Sequence, residues 1–586
     1  MYLIDVIAIF LTINLQKLKK MIRYFLTFLF FFHLGTFVLA QESGFGNFIL
    51  DEYLRRKELT GTEGESFGFQ FRFMNNSPKE LFFGKDSSLN QKKNLNYEFL
   101  PVFSSIRSDG KRPYSSGEYG IIPARGFQSF LSTGFKFRFS ILHIQFQPEW
   151  VAAENNAFEG FSDSFSSDVI ASRFFYWNVG DNPERFGNNP YNRFFLGQSS
   201  VSLRYKAFEL GAGTRNYWWG PGQWNSLIFS NNAPGFPNIS LNTTKPANTF
   251  LGAFEGQVLI GRLESSGQVP SQKDELNTNF FTPLNADWRY LNGLMLSYTP
   301  KWIPRLSVGY TRTYQYYNAE RPNDLKGWLP ILEPMAKEKL FTEGNSVVYD
   351  GRRQSQQISV FGRYQIPKAG AEVYFQFGRR DHALNWREFF LNPEHARAYQ
   401  FGFLKIANLP VSKKLLQIRG EITHQQESVN RYLRYDLGGG GITWHTHGQV
   451  RGFTNYGQPM GVGIGTGSNV QTLEIALVED WKKWGILFER LENHQDFYYR
   501  AFGQQFERKP WIDWSTALLW NTSWNNLFFT AKVQGVYARN YQWGLSQKST
   551  PEFPVTQNLF SLHSQVNVIY FWGRNINKVR VAARPL

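Results

Sequence analysis

The chain has 586 residues, no cysteine and a formal net charge of +16. The lack of cysteine excludes a disulfide framework, thiol chemistry and thiolate metal sites, so size or closure of a sheet must hold the fold together. The cationic balance is spread along the chain, which favours acidic partners such as anionic glycans or lipid headgroups and singles out no nucleic acid.

Arg23 precedes an apolar run over residues 25–39, which closes on Val38-Leu39-Ala40 before Gln41. That layout predicts an export signal with a small-residue cleavage site. Residues 1–20 do not fit a signal n-region, because the chain from Tyr2 to Leu15 is itself largely apolar. Met21 is therefore read as the true start, and the competing reading is a membrane anchor at the very N-terminus. Beyond Ala40 there is no run of about 18 apolar residues, so no helical span is expected. The mature chain is expected to be periplasmic, secreted or inserted in an outer membrane as a barrel. Export also makes nucleic acid an unexpected partner.

Residues 41–66 are expected to hold a short helix, with Leu50, Tyr53 and Leu54 on one face and Gly61 as its stop. From Phe67 onward the signal is alternation of period two. Phe67, Phe69, Phe71 and Phe73 alternate with polar or small residues, as do Phe135, Phe137 and Phe139. The pattern recurs at Leu142–Phe146, Val373–Phe377, Leu416–Thr423, Leu473–Leu477 and Gln565–Tyr570. A soluble sandwich gives the same alternation, so the pattern alone does not choose between sandwich and barrel. An aromatic content of 17% in a chain that is hydrophilic by mean hydropathy fits a barrel with lipid-facing residues and aromatic girdles. At roughly 30 residues per strand and loop, the mature chain holds on the order of 18 strands. The expected fold is all-β: a large transmembrane β-barrel of about 18 antiparallel strands, over residues 67–586, with short helical plug elements. Short helices are expected around 329–341, broken by Pro330 and Pro334, and as a turn around 385–391.

The densest local cluster is RNYWWGPGQWNSLIFSNNAPGFPNISL, residues 215–241. Gly220-Pro221-Gly222 and Pro234-Gly235-Phe236-Pro237 each force a turn. Sugar recognition needs flat apolar faces for pyranose rings, with amide and guanidinium groups for hydroxyls and carboxylates. The cluster offers Arg215, Trp218, Trp219, Trp224, Asn231 and Asn232, and a later segment offers Arg451, Asn455 and Gln458. Packing of the tryptophans and turn-capping by the asparagines account for the same residues in a purely structural way.

Other motifs carry less. His445 and His447 would share a face of a strand, but no third ligand is evident, so no metal is expected. Asp381, His382, Glu388, Glu394 and His395 read as a salt-bridged loop. Gly439-Gly440-Gly441 and Gly461-Val462-Gly463-Ile464-Gly465 open no clear helix and predict no nucleotide site. No catalytic residue or cofactor is assigned, since no Ser-centred elbow or triad spacing occurs.

Four ordered blocks resemble the Wzi-type family of outer-membrane capsule-assembly proteins. The first is Ile122-Pro123-Ala124-Arg125-Gly126-Phe127. The second runs from Asp181-Asn182-Pro183-Glu184-Arg185-Phe186-Gly187 through Gly197-Gln198-Ser199-Ser200 to the WWGPG and SNNAPGFP elements. The third comprises Lys368 to Tyr374, GRRDH from Gly378 and NPEHARAY from Asn392. The fourth is Arg451 to Gln458, followed by Gly461, Gly463 and Gly465. The resemblance implies an outer-membrane barrel with short helices blocking the periplasmic side. It also implies a non-catalytic, lectin-like role in holding capsular or exopolysaccharide at the surface, with outer-membrane lipid or lipopolysaccharide around the barrel. Two departures stand beside it: the tail after Phe571 lacks a terminal aromatic, and the glycan is not carried over. The competing class is a pore for oligosaccharides or other polar solutes. A plugged transporter of the TonB type is disfavoured by the short stretch before the first alternating strand.

Overall fold

The computed structural model describes residues 48–60, 95–114, 118–283, 285, 287–332, 354–380, 390, 394, 396–410, 413–427, 443–503 and 508–572. Its centre is a closed antiparallel barrel of 18 strands. They are β1 (Leu95–Asp109), β2 (Gly126–Phe139), β3 (Leu142–Phe146 with Glu149–Ala153), β4 (Tyr191–Phe195 with Ser200–Tyr205), β5 (Phe208–Gly213) and β6 (Asn238–Thr243 with Ala247–Asn248). Then follow β7 (Gly252–Leu263), β8 (Arg289–Pro300), β9 (Leu306–Tyr317), β10 (Ser355–Ile366), β11 (Ala371–Arg380) and β12 (Arg397–Asn408). The last six are β13 (Leu415–His424), β14 (Asn469–Glu479), β15 (Lys482–Glu492), β16 (Ile512–Trp524), β17 (Leu527–Arg539) and β18 (Leu559–Tyr570). Each strand pairs with its neighbour in sequence, and β1 closes on β18 with Val102 opposite Tyr570 and Asp109 opposite His563. Closure leaves no unpaired sheet edge.

The alternation resolves in the direction that a soluble sandwich cannot use. On β14, Leu473, Ile475 and Leu477 are exposed while Thr472, Glu474 and Ala476 are buried. On β11, Val373 and Phe375 face out while Glu372, Tyr374 and Gln376 are buried. An apolar outside around a polar inside is the solution for a sheet whose solvent is lipid. Trp302, Trp484 and Trp524 ring one end of this belt, and Phe127, Phe194 and Phe560 ring the other. The last strand ends in aromatics: Trp572, just beyond Tyr570, donates its indole N–H to the Leu100 carbonyl at 2.8 Å. The tail beyond it lies outside the described residues, as do the export segment and the expected strand at 67–73.

The two ends of the barrel differ. Strands are joined at one end by turns as short as 480–481 and 525–526, and at the other by connections as long as 154–190 and 214–237. Helix α1 (Phe48–Leu59), at the position expected from sequence, sits inside the short-turn end. Its Tyr53 and Leu54 pack with Trp481, Phe528 and Phe571. Its charges meet the inner wall: Glu52 with Lys483, Arg56 with Gln417 (2.9 Å), Arg55 with Glu372 and Glu58 with Arg363 (3.0 Å). At the long-loop end, α2 (Ser167–Gly180), α3 (Asp274–Phe280) and α5 (Gln495–Phe502) form an aromatic cap with Trp511 and Trp543. Within the helix expected over 329–341, the described residues hold one 3-10 turn, Pro330–Leu332, and residues 333–341 lie outside the described residues; a short helix, α4 (Leu325–Trp328), precedes it. The turn expected at 385–391 lies outside the described residues except for Phe390.

Candidate functional site

The loop between β5 and β6, residues 214–237, does not project outward. It turns into the lumen and builds a hydrophobic core there. Tyr217, Trp219, Leu227, Phe229 and Phe236 cluster with Leu259, Leu291 and Phe361 from the inner wall and with Trp444 and Phe453 from the loop between β13 and β14. The wall is shaped to receive it. A Cβ on Gly293 would stand 2.8 Å from the Trp219 ring, and one on Gly378 would stand 2.6 Å from Trp444. Gly220, with φ at +139°, makes the turn that sends the chain back.

Polar wall residues fix the tip of the loop. The Glu421 carboxylate accepts the backbone N–H groups of Gln223 (2.6 Å), Trp224 (3.3 Å) and Asn225 (2.9 Å), and the Tyr374 hydroxyl at 2.8 Å. Gln376 accepts the Leu227 N–H at 3.2 Å, and Gln400 donates to the Asn225 carbonyl at 2.9 Å. Arg419 lies 4.6 Å over the Trp224 ring.

Two of the four sequence blocks, the second and the fourth, meet at the second turn of this loop, together with Tyr119 and Ile121 just ahead of the first block. Asn231 donates to the Tyr119 hydroxyl at 3.0 Å, and Asn232 donates to the Pro459 carbonyl at 2.7 Å. Asn455 donates to the Pro234 carbonyl at 3.1 Å and accepts from the Glu264 N–H at 3.0 Å. Gln458, with its amide set to satisfy both contacts, donates to the carbonyls of Ile121 (3.0 Å) and Asn232 (3.1 Å). The third block supplies wall: Tyr374 and, at the start of GRRDH, Gly378 and Arg380, which donates to the Trp444 carbonyl at 3.2 Å.

The remaining predicted site residues are placed differently. Arg215 pairs with Glu209 at 2.6 Å. Trp219 is 1% exposed and donates its indole N–H to Gln257 at 2.8 Å. Arg451 donates to the carbonyls of Thr282 (3.0 Å) and Pro283 (2.8 Å) near the long-loop rim. Trp218, Trp224, Asn231, Asn232 and Gln458 instead border a cavity of about 550 Å³. It lies between the inserted loop and the inner face of β14–β18 and β1. Its floor includes Glu52 of α1 with Arg419, Glu474 and Lys483, and its outer end includes Tyr176, Trp177, Trp511 and Tyr541. A second hollow, of about 470 Å³, opens at the long-loop rim among Arg185, Asn188, Asn189, Asn192, Arg193 and Tyr456.

His445 and His447 lie on an irregular loop rather than on a strand, and His447 caps a turn by accepting the Val450 N–H at 3.1 Å. Burial pushes His445 down to about 3, so it is neutral at physiological pH. Among the described residues no group of three or more His, Cys, Asp or Glu could hold a metal. Of the acidic loop cluster, Glu394 pairs with Arg397 at 2.6 Å, and the other members lie outside the described residues. Gly461 marks a close backbone approach, since a Cβ there would meet the Leu227 carbonyl at 2.1 Å.

Sequence reasoning missed Arg289, Glu421, Arg112 and Arg173. Arg289 donates to the carbonyls of Arg451 (2.9 Å), Gly452 (3.0 Å), Glu264 (2.9 Å) and Thr454 (3.1 Å), tying the fourth block to β8. A charged residue on the polar face of an alternating strand was the available signal for Arg289 and Glu421.

The family model for the capsule assembly protein Wzi matches residues 107–477. The chain belongs to the Wzi capsule assembly family. The match spans β1 to β14, including the inserted loop and the segments that clamp it. A solved structure described as Wzi, an outer membrane protein involved in group 1 capsule assembly in Escherichia coli and a carbohydrate-binding β-barrel, is similar over 81% of this chain and 85% of that one. Identity is 13% and the TM-score is 0.51, which establishes a common Wzi fold. OccAB3 of Acinetobacter baumannii is similar over 82% of this chain and 99% of its own, at 11% identity and a TM-score of 0.39. OpdQ of Pseudomonas aeruginosa is similar over 82% and 97%, at 11% identity and a TM-score of 0.35. No curated protein sequence matches the chain.

Proposed function

We propose that this protein is a non-catalytic, lectin-like component of the outer membrane that holds exported capsular or exopolysaccharide at the cell surface. The observation that carries the reading is the inserted loop. A barrel built to pass solutes needs a free lumen, whereas this lumen is filled by a fixed aromatic segment beside a cavity rich in aromatic, amide and charged groups. Trp218 and Trp224 offer ring faces to pyranose C–H groups, and Asn231, Asn232 and Gln458 are the amides at the same wall. Arg215, Trp219 and Asn455 hold the segment that presents them, and Arg451 ties its own loop to residues 282–283 at the rim. The apolar belt meets outer-membrane lipid and lipopolysaccharide, and residues 1–40 direct export.

Deletion of the gene tests the reading. Cell-bound capsule is expected to fall and free polysaccharide to rise in the medium. Unchanged retention with nothing shed would remove the attachment role. Trp218→Ala with Trp224→Ala is expected to lower retention while the protein keeps its heat-modifiable migration on denaturing gels.

A further inference from the structure

At the outer end of the cavity two arginines sit in adjoining aromatic boxes. The Arg112 guanidinium lies 5.3 Å from the Tyr114 ring centre, 5.4 Å from Trp511 and 5.3 Å from Tyr541. Its charge is balanced by Asp513, at 2.7 Å. Arg173 of α2 lies 4.4 Å over Trp177, 5.3 Å from Phe497, 5.7 Å from Trp543 and 6.0 Å from Phe161. Trp511 and Trp543, 5.5 Å apart, form the wall between the boxes.

Arg173 differs from Arg112 in its charge balance. It is 5% exposed and borders the cavity, yet among the described residues its guanidinium makes no hydrogen bond and no ion pair. Glu184 is the carboxylate within Coulombic reach, but it accepts the N–H groups of Phe161 (2.6 Å) and Gln272 (3.4 Å) instead. Burial pushes Arg173 down to about 10, which leaves it cationic at neutral pH. Ring faces alone compensate a desolvated cation weakly, and a buried charge without a partner is costly. A guanidinium fork open to a cavity matches an oxyanion.

We propose that Arg173 is the anion-binding residue of the cavity and takes an oxyanion substituent of a saccharide, a carboxylate or a phosphate, with Trp177 and Trp511 beside the sugar ring. The inference rests on the polysaccharide-binding reading and adds to it the ligand class and the residue that selects it.

The test uses the full chain in detergent and the capsular or exopolysaccharide purified from the source strain in three forms: native, carboxyl-reduced, and freed of phosphate by mild hydrofluoric acid. Binding is followed by calorimetry and tryptophan fluorescence. One of the two treatments is expected to weaken binding about tenfold or more, and which one does so identifies the oxyanion. Arg173→Met is expected to bind the native polymer as weakly as wild type binds the treated one, and to be insensitive to the treatment. Arg173→Lys is expected to fall between them, because it keeps the charge and loses the fork. Equal binding of all three forms by wild type overturns the inference and leaves polysaccharide binding standing. No binding of any form overturns both. Should Arg173→Met fail to give the heat-modifiable form, the wild-type comparison and Arg173→Lys still decide.

Discussion

Arg419 lies 4.6 Å over the ring of Trp224, and the same guanidinium pairs with Glu52 at 3.1 Å and with Glu474. One wall residue thus joins the inserted loop from the long-loop end to α1 from the short-turn end. The two fillings of the lumen are therefore expected to loosen together. Arg419→Ala leaves Glu474 with Lys483, leaves Glu52 with Lys483 and Arg56, and removes the stacking surface under Trp224. In planar bilayers this variant is expected to show larger and noisier conductance than wild type. Arg419→Lys is expected to recover little, since a point charge neither stacks nor forks. A quiet Arg419→Ala channel would break the link between the two elements.

The docking of α1 has a pH signature. Burial pushes the Glu52 carboxyl up, but Arg419, Lys483 and Arg56 outweigh that and hold it well below the usual carboxylate range. A carboxyl with a depressed docked pKa contributes fully above its free value, near 4.3, and loses that contribution as pH falls through the docked value. The barrel is therefore expected to stay blocked at pH 7 and at pH 5, with conductance rising only in stronger acid. Glu52→Gln is expected to conduct more at pH 7 and to lose the acid step. A transition between pH 6 and 7 in wild type would contradict this assignment.

Glu421 holds three successive N–H groups at the tip of the inserted loop. Glu421→Gln keeps the volume but removes the charge, and each weakened or orphaned buried contact costs about 1–3 kcal/mol. Amide exchange at residues 223–225 is expected to rise sharply in detergent, with the strands β10–β16 still protected. Unchanged exchange at the tip would show that packing of Trp219 and Phe229 holds the loop without Glu421.

The belt makes its own prediction. Ile475 faces out at mid-strand while Glu474 faces in. Ile475→Arg puts a cation into lipid and is expected to cost about 2–4 kcal/mol near the midplane. Folding yield into vesicles should fall, and it should fall less for Leu477→Arg, which lies nearer the short-turn interface.

Much of this architecture was legible because period-two alternation survives wherever a strand has two different faces. Phe135 to Phe139 and Leu473 to Leu477 announce strands without ambiguity, and chain length sets the order of magnitude of the strand number but not its exact value. The direction of the faces was not legible, since sandwich and barrel share the pattern until Ile475 is seen outside and Glu474 inside. Helix α2 escaped because Val169, Ile170, Arg173, Phe174, Tyr176 and Trp177 are buried around most of its circumference, which erases the helical period. At the candidate site, residues 215–241 stood out by composition. Which tryptophan packs and which borders the cavity depends on Gly293 and Gln257, far away in sequence, and no local signal carries that.

That division among the tryptophans separates folding from binding. Trp219 fills a niche formed by Gly293 and Leu259, is 1% exposed and donates to Gln257. Trp219→Ala leaves a void among Phe229, Leu291 and Met295 and an unsatisfied Gln257, at a cost of about 3–5 kcal/mol for the loop core. Trp224 is half-buried and borders the cavity, with its ring under Arg419 and against Leu487 and Leu519. Trp224→Ala therefore enlarges the cavity without opening the core. Trp219→Ala is expected to lower the temperature of the heat-modifiable transition and to raise proteolysis within residues 214–237, with polysaccharide binding lost as a consequence. Trp224→Ala is expected to leave the transition in place and to weaken binding directly. If both variants lose stability equally, Trp224 belongs to the packing of the loop and the cavity wall must be sought in Trp218 and the cap.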